Sequence, residues 1–144
     1  MLYGQDRNQL RRFYLQAWQK RQTGQPMEPL EQMVSAIIEQ HPEYQPALSD
    51  ADKALGREYL PEDGETNPFL HLGLHIAIQE QLQADRPAGI RAAYQNLVQR
   101  LGDPHSAEHQ MMDCLGEALW RAQRDGRPPD ESAYLDCVRR QLLP

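Results

Sequence analysis

Four of the five histidines in this 144-residue chain fall into two pairs with four-residue spacing: His71 and His75 in NPFLHLGLHIAIQEQ, and His105 and His109 in DPHSAEHQMMD. On a helix, residues four apart share a face, so each pair presents two imidazoles in a row. Neutral imidazole nitrogen is a good ligand for borderline metals, and two such rows supply three or four ligands. Four protein ligands point to a structural ion. Three with an open position point to catalysis, where bound water is the reactive species and hydrolysis the default reaction class. The expected ligand set is His71, His75, His105 and His109. Asp113, four residues after His109, is a fifth ligand or a group holding that imidazole in place. The cofactor would be one divalent transition metal: zinc, nickel or iron.

The segment His105–His109 also spells HxxEH, the inverted zinc-peptidase signature, with Glu108 as the water-activating base. The signal is weak, since the chain is far smaller than such peptidases and no third ligand has an obvious context. A glutamate near a helix start is explained by the helix dipole alone. Glu108 and Asp113 remain candidate bases. The competing reading is metal-free: histidines on an apolar helix face form a buried polar network, and a helix face binds a protein partner or a second copy. His41, before Pro42, reads as surface or helix end.

These residues need elements that position them, and the spacing predicts helices throughout. The first runs from about Asp6 to Gln22, with Leu10, Phe13, Tyr14, Ala17 and Trp18 as its stripe. Its polar face carries Arg7, Arg11, Arg12, Lys20 and Arg21. The second starts near Pro29 with Leu30, Met33, Val34, Ile37 and Ile38 inward, and ends at His41–Pro42 because a residue before proline is pushed out of the α region. From Glu43 to Thr66 the signals fade into a long connection, with DADKALGREY a candidate short helix. Asn67–Pro68 opens the third helix, since asparagine caps free amides and proline tolerates the first helical position. It runs to about Ala84. Asp85–Arg86–Pro87 opens a fourth to about Leu101, and Asp103–Pro104 a fifth to Arg124. Asp130 caps a last helix bearing Tyr134, Leu135, Val138 and Leu142.

The expectation is an all-α fold, a bundle of five to six helices with short links in its second half, forming a single helical domain over residues 1–144. Short links make helices three and five parallel, which sets the two histidine pairs at similar depth. Gly116 on the fifth helix would admit a close neighbour.

A formal charge of −6 and a mean hydropathy of −0.78 argue against nucleic acid or a membrane as partner. No signal-peptide pattern opens the chain, and Cys114 and Cys137 lack a CxxC spacing. They read as reduced thiols in a cytoplasmic setting.

At NPFLHLGLHIAIQEQ and again at AEHQMMDCLGEALWRAQRDGRPPDESAYL, the chain resembles a bacterial family known only as domain of unknown function 1841, over nearly its whole length. The resemblance implies a small, cytoplasmic, mostly helical protein and brings no activity with it. His71, His75 and His109 match the family's pattern. A three-ligand site with Asp113 therefore stands beside the four-histidine one.

Overall fold

The computed structural model describes residues 7–49, 54–55 and 67–142. Among them are six α-helices and no strand: α1 (Arg7–Thr23), α2 (Pro29–Glu39), α3 (Pro68–Ala84), α4 (Ile90–Leu101), α5 (Pro104–Asp125) and α6 (Glu131–Arg140). The all-α expectation holds. Two short 3-10 turns, Pro42–Tyr44 and Pro46–Leu48, follow α2. Most of DADKALGREY, and with it the candidate short helix, lies outside the described residues.

The contacts divide the chain into two compact units, Met1–Gly73 and Leu74–Pro144, with the boundary inside α3. In the first unit, α1 and α2 form a helical hairpin. Tyr14, Ala17, Trp18, Val34, Ile37 and Ile38 are buried, as their spacing predicts. Each fully buried aliphatic side chain contributes about 1.5–3 kcal/mol. The hairpin is clamped by charge. Lys20 Nζ donates to Glu31 Oε2 at 2.7 Å, while Arg21 reaches Ser35 at 3.4 Å and pairs with Glu39. Glu31 also closes the start of α2 by accepting from the Glu28 amide at 2.9 Å. The Lys20 ammonium first, and the Glu28 amide next, hold the Glu31 carboxyl below its ordinary value.

Arg11 does not belong to a polar face. It is 2% exposed, donates to the Ala54 carbonyl at 2.8 Å and lays its guanidinium 4.6 Å from the centroid of the Phe69 ring. That ring in turn stacks on Tyr14 with centroids 6.2 Å apart. A buried guanidinium is tolerable because a carbonyl and a π-face receive it.

The second unit packs the remainder of α3 with α4, α5 and α6. Its core includes Ile78, Ile90, Leu97, Ala107, Met111, Leu115, Tyr134 and Val138. Helix starts follow the capping logic. Asn67 Oδ1 accepts from the amides of Phe69 and Leu70, Asp103 from Ser106 and Asp130 from Ala133. Gly102 and Gly126 close α4 and α5 in the left-handed conformation, where a Cβ would be strained.

Helix α4 begins later than Asp85. Asp85 takes a positive φ of 50°, and its carboxylate accepts from the Arg91 amide at 3.0 Å. Arg91 then turns its guanidinium onto the last carbonyls of α3, at Leu82 and Gln83. Arg91 thereby closes the end of α3.

Among the described residues nothing comes close to Gly116, where a Cβ would meet no atom within 4 Å. The cysteines are not free thiols. Cys114 on α5 and Cys137 on α6 are joined by a disulfide, their Cα atoms 5.8 Å apart, which removes the thiol argument for a reducing compartment. Trp120 on α5 is 59% exposed, whereas Trp18 in the first unit is 7% exposed. No helix among the described residues is long and apolar enough to cross a membrane.

Candidate metal centre

His75 is the centre of the constellation in the second unit. It is fully buried, because it lies on the α3 face that also buries Ile78 and half-buries Leu74 and Leu82. A buried imidazole needs partners for both nitrogens, and both are supplied. Nδ1 lies 2.9 Å from Glu108 Oε1, and Nε2 lies 3.2 Å from His109 Nε2.

The first contact fixes the second. A carboxylate only accepts, so His75 Nδ1 carries the hydrogen and donates it. In the neutral imidazole, Nε2 then holds a lone pair directed at His109. Glu108 thus selects the tautomer of His75, as carboxylates behind metal-binding histidines do.

Helix α5 supplies the rest. Pro104 and the Asp103 cap start the helix immediately before His105, so His105 and His109 occupy its first two turns. Their rings lie 4.1 Å apart centroid to centroid. His105 stacks near-parallel to His75 at 5.3 Å, and His109 lies 5.0 Å from it. One ring nitrogen from each of His75, His105 and His109 lies within 4.8 Å of the others. Two nitrogens bound to a tetrahedral zinc at about 2.0–2.1 Å are separated by about 3.3 Å. The His75–His109 spacing of 3.2 Å matches that edge.

Carboxylates accompany the imidazoles. Glu108, 6% exposed, brings a carboxylate into the buried layer. Burial first, then the Glu108 and Asp103 carboxylates, raise the Tyr94 phenol above its ordinary value. Asp103 itself is held low by the Ser106 hydroxyl and amide, with the His105 amide and imidazole adding to the effect.

The sequence-derived residues are placed as follows. His75, His105 and His109 come together. Asp113 is exposed on α5. His71, in the first unit, places Nε2 3.1 Å from His41 Nε2. His41 is not a surface residue: it is 1% exposed, stacks on Tyr44 at 5.5 Å and donates from Nδ1 to the Ile37 carbonyl at 2.8 Å. It lies just past α2, which ends at Glu39 with Gln40 as its cap, close to the stop that Pro42 predicts. Glu108 is no mere dipole partner, because its carboxylate is engaged with His75. The signal for this was present, as Glu108 falls on the apolar stripe of Met111, Met112 and Leu115. A carboxylate on such a face requires a partner.

Residues 6–140 match the model of a family described as a domain of unknown function, DUF1841. The chain belongs to this family. Membership of DUF1841 assigns no reaction, so the chemistry rests on the side chains themselves. Comparison with curated proteins and with solved structures found no match.

Proposed function

We propose that this DUF1841 protein binds one divalent transition metal through His75, His105 and His109, with Glu108 orienting His75. The observation that carries the reading is the Glu108–His75–His109 line. One buried imidazole is held by a carboxylate at 2.9 Å, with its opposite nitrogen 3.2 Å from a second imidazole. Three neutral nitrogens suit zinc, nickel or ferrous iron. Three protein ligands leave room for a further ligand, from water or a substrate, and the ion would supply Lewis acidity there. This chain's part is to hold the nitrogens and exclude bulk water around His75.

A second reading rests on the same 3.2 Å contact. With a proton on His109 Nε2, the two nitrogens form an ordinary hydrogen bond, and Glu108–His75–His109 becomes a buried polar network without metal. The protein would then be an interaction module, with an exposed helix face such as that of Trp120 meeting a partner or a second copy.

Elemental analysis of protein purified without a histidine tag, beside a His75→Ala/His109→Ala variant, separates the two. Near-stoichiometric metal in the parent, lost in the variant, together with chelator-dependent melting, supports the first reading. A parent that takes up no metal from zinc, nickel or ferrous salts, and melts identically with chelator, leaves the second.

A further inference from the structure

Helices α5 and α6 border a cleft of about 920 Å³ that is lined by both cysteines and by no histidine. Five arginines also line it, against four carboxylates. Arg121 and Arg124 are paired with Glu117 and Asp125. Among the described residues, Arg127, Arg139 and Arg140 have no carboxylate within ion-pair distance. The cleft therefore carries a cationic surplus beside a disulfide, in a volume that accommodates a ligand of tripeptide size.

The two sulfurs are not equivalent. Cys114 is 2% exposed, whereas Cys137 is half-buried. The Gln141 amide nitrogen lies 3.8 Å from Cys114 Sγ and donates to it. A donor at a sulfur favours the thiolate form, so Cys114 is the better leaving group and Cys137 the more accessible target.

We propose that this cleft is a thiol–disulfide exchange site for a small anionic thiol. The incoming thiolate attacks Cys137 Sγ. A new S–S bond forms there as the Cys114–Cys137 bond breaks, and the electron pair leaves on Cys114, beside Gln141. A second thiolate attacks the bound thiol's sulfur, releasing Cys137 as a thiolate and forming the low-molecular-mass disulfide. Two thiols are oxidised, the protein disulfide is reduced, and the two thiol protons pass to the two cysteines. The arginine surplus selects the negative charge of the thiol.

The test uses the oxidised full chain with reduced glutathione, which is anionic, and cysteamine, which is cationic, each rate corrected for its thiolate fraction. Glutathione should react about 10-fold faster or more, and Arg127→Ala/Arg140→Ala should bring the ratio close to one. Equal rates on the parent, or reduction only after unfolding, would overturn the proposal. So would a preference that survives loss of both arginines. In addition, Cys114→Ser with oxidised glutathione should gain one glutathione on Cys137 by intact mass, while folded Cys137→Ser should gain none. The opposite labelling would overturn the assignment of the attacked sulfur. If either serine variant fails to fold, the comparison of rates on the parent still decides.

Discussion

Glu108 and His75, thirty-three residues apart, meet at 2.9 Å with both side chains almost fully buried. The contact decides which nitrogen of His75 bears hydrogen, and thereby what the opposite nitrogen can do.

If His75, His105 and His109 hold a metal as proposed, Glu108→Gln should weaken its binding rather than abolish it. The amide oxygen can still accept from Nδ1, but without the carboxylate's charge. Loss of such an orienting carboxylate lowers metal affinity by about 10–100-fold. Competition with a chromophoric chelator measures this directly. An unchanged affinity would mean that Glu108 serves only the packing. Because ligand imidazoles must be unprotonated, uptake should also fall on acidification.

The disulfide closes a sequence separation of 23 residues. A loop of that size restricts the unfolded chain enough to contribute about 3 kcal/mol. Cys137→Ser should lower unfolding free energy by roughly that amount in a urea titration. A loss well under 1 kcal/mol would show that the crosslink scarcely constrains the unfolded chain.

Glu31 links acid stability to the α1–α2 hairpin. Its folded pKa lies below the ordinary 4.5, chiefly because Lys20 donates to it. A group depressed on folding contributes fully above its unfolded value, and the contribution is lost as pH falls through the folded value. The parent should thus lose stability below about pH 4.5, and Glu31→Gln should flatten that acid limb while costing stability at neutral pH. Melting temperatures between pH 3 and 7 provide the check. Parallel profiles for parent and variant would show that Glu31 contributes nothing to the linkage.

The helix starts were legible because their causes are local. Asn67–Pro68, Asp103–Pro104 and Asp130 need only their own next three residues to make a cap. The histidine spacing was legible for the same reason. What the spacing did not reveal lies in tertiary pairing. Arg11 looks like any surface arginine until Phe69 and the Ala54 carbonyl receive it. Cys114 and Cys137 carry no motif and meet only because α6 packs on α5. Glu108 stood in an apolar stripe, and its burial followed from that position, but its partner did not. Asp85 was expected within a helix start, yet its positive φ places it in the turn before α4. Its own side chain satisfies the Arg91 amide there.

The two tryptophans are divided between the compact units, Trp18 buried in one and Trp120 open to water on the other. The chain consequently carries an optical label on each. Trp18 should emit at short wavelength and shift red only when its own unit melts, while Trp120, already solvated and capped by the Arg124 guanidinium at 4.9 Å, should be quenched by acrylamide from the outset. Acrylamide quenching and emission wavelength, followed through one denaturation, then distinguish melting in the two halves of the sequence without any added fluorophore.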